Sequence, residues 1–161
     1  MITVTDRHEA AKRQHEFDFI ISLVDFTVIV AESLKPSIKK GKVHIIEMDD
    51  ILGKIHQLSI PPSREHVQGI IDIFAANNLK EKNVLVHCHA GISRSTATTI
   101  GLLIKFHDLT VSEAFDTVFT MRKQMWPNGL ILQHFDDILG LHGELVKFDK
   151  QWKLENNTLI V

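Results

Sequence analysis

The chain has 161 residues, 44% hydrophobic and 24% charged, which suits one globular domain over residues 1–161 with a substantial core. A formal net charge of -2 gives no basis for an electrostatic grip on nucleic acid or on an anionic membrane, so any anion must be held by a local arrangement. The single cysteine excludes an internal disulfide framework and a cysteine-based zinc cluster, and charges at Asp6, Arg7, Glu9, Lys12, Arg13 and Glu16 interrupt any apolar secretory leader, so a cytoplasmic protein is expected.

In chain order, Ile2 to Thr5 reads as a strand, Arg7 to Gln14 as a charged helical stretch and Asp18 to Val24 as a second strand. The apolar run from Phe19 to Ala31 is cut by Ser22, Asp25 and Thr27 and is too short to span a bilayer. Lys42 to Met48 reads as a third strand. Pro61-Pro62-Ser63 opens a helix reaching about Leu79, with Val67, Ile70, Ile71, Phe74 and Ala75 at core-facing spacing and Asn77-Asn78 at its end. Asn83 to His87 holds Val84-Leu85-Val86, too brief for a helix, and reads as a buried central strand. From Arg94 the spacing of Thr98, Leu102, Leu103 and Phe106 predicts a helix. Thr110-Val111-Ser112-Glu113 is a capping box for the next, whose stripe of Phe115, Val118, Phe119 and Met121 reads as core. A last helix follows Pro127-Asn128-Gly129, and Glu155 to Val161 reads as a fraying terminus. Ile- and Val-rich runs alternating with helical patterns predict an α/β fold, a central, mainly parallel sheet flanked by helices.

The informative segment runs from His87 to Ser95. Cys88 lies between a buried strand and a helix start, where unpaired amides and the helix dipole favour the thiolate over the thiol and so make it a nucleophile. The same amides, from His89, Ala90, Gly91, Ile92 and Ser93, form a cradle for a tetrahedral oxyanion, and Gly91 lets the chain turn without a Cβ clash. Arg94, six residues after Cys88, offers planar paired donors to two phosphate oxygens, and Ser95 adds a hydroxyl near the sulfur. His87, Cys88 and His89 are adjacent on one strand end and cannot converge on one ion, so no metal is expected there.

With a preceding strand, a turn glycine and a following helix, His87-Cys88-(five residues)-Arg94-Ser95 matches the signature of the protein tyrosine phosphatase superfamily. Within it the chain resembles dual-specificity phosphatases and compact bacterial tyrosine phosphatase-like proteins. Ile20 to Asp25, Met48-Asp49-Asp50-Ile51, the Pro-led helix and Pro127-Asn128 extend that likeness. The resemblance implies a protein tyrosine phosphatase-like fold and thiolate attack on a phosphomonoester. It further implies a cysteinyl-phosphate intermediate hydrolysed by water, with no metal and no cofactor. It also implies an aspartate as proton donor, Asp50 or Asp49, with Asp50 favoured because it immediately precedes Ile51. His87 is then a supporting residue that orients the loop, His89 contributes its backbone amide, and Asn128 ties a neighbouring loop to the phosphate loop. The expected partner is a phosphorylated protein or a small phosphomonoester. Phosphotyrosine, with or without dual specificity, is favoured over phosphoinositide because the loop carries no lysine. Two other readings compete: a rhodanese-like sulfurtransferase, and a catalytically silent phosphate-binding module.

Overall fold

Short β-branched runs between longer amphipathic ones produce strands whose faces are both covered. In the computed structural model, which describes residues 1–25, 34, 37, 38 and 40–156, the strands are β1 (Ile2–Asp6), β2 (Phe19–Val24), β3 (Val43–Glu47) and β4 (Val84–Cys88). They form a four-stranded sheet in the order β1-β4-β2-β3, with each neighbouring pair parallel. The helices among the described residues are α1 (Arg7–Arg13), α2 (Arg64–Ala76), α3 (Arg94–His107), α4 (Val111–Met121), α5 (Gly129–Leu139) and α6 (Glu144–Asn156). Among the described residues no helix is long and apolar enough to cross a membrane.

Side chains alternate across the sheet. Val84, Val86 and Cys88 of β4 join the main core with Ile21 and Leu23 of β2, while Leu85 joins Ala10, Phe17 and Ile20 on the opposite face. The register places Thr5, His87 and Ser22 side by side in one row and Asp6 beside Cys88 in the next. The carboxyl ends of β1, β4 and β2 therefore converge where ligands bind in open parallel sheets.

Helix α3 is the central helix, buried from Arg94 through Leu103. A Cβ on its Gly101 would fall 2.3 Å from the Phe135 ring, so this glycine lets α5 approach closely. Capping follows local chemistry: Ser63 and His66 form a capping box on α2, and Thr110 and Glu113 form one on α4.

The structure corrects the reading of the chain in three places. The single helix expected after Pro127-Asn128-Gly129 is two, because Gly140 adopts φ +66 at the end of α5. The chain turns there, and the Asp136 carboxylate receives the amides of Gly143, Leu145 and Val146 at the start of α6. Ala75 is exposed, since α2 stops at Ala76 and Leu79 reaches the core from a separate 3-10 turn entered through Asn78 at φ 50. Glu155 and Asn156 are helical. Residues 157–161 of the expected fraying terminus and residues 26–31 of the apolar run from Phe19 lie outside the described residues.

Candidate active site

Cys88 is the last residue of β4 and Arg94 the first of α3, so residues 89–93 form the turn between them. The loop's carbonyls are engaged on its outer side. His89 O accepts from the Arg7 amide, Ala90 O and Gly91 O from the Arg122 guanidinium at 3.0 and 3.1 Å, Ile92 O from the Trp126 amide at 2.9 Å, and Ser93 O from the Asn128 amide at 3.2 Å. A loop whose carbonyls are all drawn outward turns its N–H groups toward the enclosed space, the arrangement of an anion nest. Gly91 has φ +68, and a Cβ there would lie 2.6 Å from Thr5 and Asp6 backbone atoms. It supplies both a left-handed turn and a close approach to the β1–α1 junction. The Cys88 sulfur is buried beneath the loop, 3.3 Å from the Gly91 amide nitrogen and 3.3 Å from Ser95 Oγ.

Arg94 is buried, with only 2% of its surface exposed. Its Nη1 donates to Met48 O at 2.7 Å and pairs with Asp25 Oδ1 at 2.9 Å, while Nε lies 3.9 Å from Asp50 Oδ2 without a hydrogen-bond partner among the described residues. A cation at a helix N-terminus is disfavoured on its own, and these carboxylates offset that.

The neighbouring aspartates Asp49 and Asp50 face different ways because the chain turns tightly at Asp50, where the Ile51 amide donates to Asp49 O at 3.0 Å. Asp49 closes the neck of the following loop, its amide donating to Ile60 O at 2.7 Å and its Oδ2 accepting the Ile60 amide at 2.8 Å. Asp50 reaches the loop of residues 89–93, where its Oδ1 accepts from Ser93 Oγ at 2.6 Å and from Asn128 Nδ2 at 2.9 Å. Asn128 is buried and joins three elements: its Oδ1 caps α5 at Leu130 and Ile131, its Nδ2 holds Asp50, and its amide holds Ser93 O.

His87 is 3% exposed. Its ring is pushed down to about 4 by burial, against the opposing influence of the Cys88 carbonyl and Asp6, with the Arg94 charge a minor addition. Nδ1 lies 3.4 Å from Cys88 O, an acceptor only, so Nδ1 carries the proton in the neutral ring. His89 and Ala90 are exposed at the rim.

The sequence reading passed over two residues. Asp25, which pairs with Arg94, stood within the Ile20 to Asp25 run but carried no signal of its own. Arg122 lies far from the loop in sequence, and no spacing rule points to it. Trp126 borders the site through its amide bond to Ile92 O.

A family model described as dual specificity phosphatase, catalytic domain, matches residues 3–135. The chain is 33% identical over 88 residues to dual specificity protein phosphatase MPK-4 of Drosophila melanogaster, covering 53% of this chain and 23% of that one. It is 32% identical over 100 residues to dual specificity protein phosphatase 14 of Mus musculus, covering 61% and 46%. The chain thus matches less than half the length of each of these relatives. Among solved structures it resembles human DUSP28 (TM-score 0.64, 15% identity, 88% and 94% covered). It also resembles the Cydia pomonella PTP-2 phosphatase (TM-score 0.62, 20% identity, 84% of each chain covered). These likenesses show a shared fold.

Proposed function

The chain belongs to the dual specificity phosphatase catalytic-domain family, and on that premise we propose that it hydrolyses phosphomonoesters, phosphotyrosine in a polypeptide first among them, through a cysteinyl-phosphate on Cys88. The observation that carries the reading is the loop of residues 89–93, whose carbonyls are bonded outward around a buried cysteine sulfur. Such a cradle suits a phosphoryl group held by inward amides.

In the first step the Cys88 thiolate attacks phosphorus and the bond to the leaving oxygen breaks. Asp50 gives its proton to that oxygen. Its Oδ1 already accepts two hydrogen bonds, which leaves Oδ2 as the oxygen that carries the proton. Arg94 has Nη1 occupied by Asp25 and Met48, so its Nε–Nη2 edge is the one left to two phosphoryl oxygens. The Ser95 hydroxyl beside the sulfur stabilises the thiolate when it departs. In the second step water attacks phosphorus, the P–S bond breaks, and Asp50 takes the water's proton, releasing inorganic phosphate. Every step uses this chain's own groups and water.

The reading takes residues 1–161 as one catalytic domain, supported by a main core that draws on β1 through α6. It sets the protein in the cytoplasm, where reducing conditions keep a lone catalytic thiol free. No observation favours a sulfurtransferase.

Hydrolysis of an aryl phosphate tests the proposal. The unsubstituted protein is expected to turn it over, Cys88→Ser and Arg94→Ala to lose turnover, and rapid quenching to trap a phosphate adduct on Cys88. Phosphopeptide binding without turnover, with the thiol shown to be reduced, would make the chain a silent phosphate-binding module. Sulfur transfer from thiosulfate to cyanide would make it a sulfurtransferase.

A further inference from the structure

The concave surface continues beyond the phosphate loop. A groove of about 500 Å³ begins at Asp50 and Ser93, passes Leu52 and Trp126, and ends at Lys150 and Lys153 of α6. Leu52 is 72% exposed, an aliphatic side chain held in solvent at the groove's lip. The Trp126 ring packs against Trp152 of α6, which fixes one wall.

The two lysines are not equivalent. Lys153 donates to Pro127 O at 2.7 Å, pairs with Asp149 Oδ2 at 2.8 Å and lies over the Trp126 ring, so its charge is satisfied within the fold. Lys150 is exposed, and the structure records no hydrogen bond or salt bridge to it among the described residues. It also lines a second cavity of about 450 Å³ together with Lys147, one turn earlier on α6, and with Asp136 and Asp137. Four acidic residues line these cavities: Asp50 is held by Ser93 and Asn128, Asp136 by backbone amides at the start of α6 and Asp149 by Lys153, while Asp137 lies in the second cavity with Lys147 and Lys150.

The groove's direction gives it meaning. In the proposed reaction the leaving oxygen faces Asp50, so the body of the substrate extends from the phosphate on the Asp50 side, where the groove starts. We propose that this groove binds the polypeptide flanking the phosphorylated residue, with its apolar surface on Leu52 and Trp126 and an acidic side chain at Lys150. The chain as a whole is slightly acidic, with a formal net charge of -2. Lys150, the groove lysine without a hydrogen bond or salt bridge among the described residues, therefore attracts an acidic side chain at one place and orients the segment that carries it. The assignment takes only its direction from the phosphatase reading.

The test uses two tyrosine-phosphorylated peptides that differ only in carrying Glu or Gln at the positions flanking the phosphotyrosine. Their binding is measured by fluorescence anisotropy to the Cys88→Ser protein, which holds substrate without turning it over. The Glu peptide is expected to bind about two- to fivefold more tightly, the range of a solvent-exposed ion pair. That preference disappears in a further Lys150→Ala variant, reverses in Lys150→Glu and shrinks at about 0.5 M salt. Equal binding of the two peptides overturns the proposal, as does a Glu preference that survives Lys150→Ala or a loss of equal size for both peptides. Aryl phosphate hydrolysis by the unsubstituted protein is read separately. Absence of turnover with the Lys150-dependent preference intact retires the phosphatase reading and leaves the groove assignment standing.

Discussion

The Nη1 of Arg94 lies 2.9 Å from Asp25 Oδ1, a buried guanidinium held by a carboxylate from the end of another strand. The contact selects which edge of the guanidinium remains for an oxyanion. Replacing Asp25 with Ala removes a charged hydrogen bond, and the expected effect is vanadate inhibition weakened about tenfold to a hundredfold. Asp25→Asn keeps an oxygen acceptor at the same place and is expected to restore most of kcat/KM. An unchanged inhibition constant in Asp25→Ala would show that Met48 O alone orients Arg94.

Asp50 and Asp49 separate by experiment as they do in space. Asp50→Asn is expected to lower kcat by about 10²- to 10⁴-fold, the usual contribution of a positioned acid, while vanadate still binds. Asp49→Ala loses the acceptor for the Ile60 amide and is expected to lower the melting temperature more than kcat. The opposite pattern would move the proton donor to Asp49.

Arg122 grips the loop of residues 89–93 from outside through Ala90 O and Gly91 O. Without it those carbonyls are free to rotate inward toward the phosphate. Arg122→Ala is expected to raise KM and the phosphate inhibition constant about tenfold, as for the loss of a charge-assisted hydrogen bond, with a smaller change in thermal stability. Arg122→Lys, which lacks the planar fork, is expected to recover little. A steady-state comparison of the three proteins decides the matter.

Gly91→Ala combines a left-handed φ of +68 with a Cβ 2.6 Å from the Thr5 carbonyl. The strain alone costs about 1–2 kcal/mol, and the clash adds to it by pushing the loop off β1. A lower denaturation midpoint together with lost phosphate binding is expected. Normal phosphate affinity in this variant would mean that the loop relaxes without disturbing its amides.

His87, held down at about 4, is neutral in the fold at neutral pH. The unfolded ring takes up a proton near its ordinary value, so between that value and about 4 the unfolded state binds more protons than the folded one. Stability from this group is therefore complete above about pH 6.5 and is lost as pH falls toward 4, on the order of 3 kcal/mol in all. Urea midpoints across this range are expected to fall in the parent protein and to flatten in His87→Gln. Parallel curves for the two proteins would assign the acid sensitivity elsewhere.

How much was legible follows from what each inference needed. The strand ending at Cys88, the turn at Gly91 and the helix opening at Arg94 are close in sequence, and local chemistry dictates them: a β-branched run, a residue free to take positive φ, and the helical spacing of Thr98, Leu102, Leu103 and Phe106. The sequence by itself therefore determined the place of the cysteine, the turn that follows it and the α/β class. Asp49 and Asp50 are adjacent, and no sequence rule says which of two neighbours faces a loop some forty residues on. The hydrogen bonds of Asp49 to Ile60 and of Asp50 to Ser93 and Asn128 decide that. Arg122 follows α4, Asp25 follows β2 and Lys150 lies on α6, and only the packing of these distant elements brings them near the loop and its groove. Their proximity is a property of tertiary packing, in which contacts depend on the meeting of distant faces rather than on spacing along the chain.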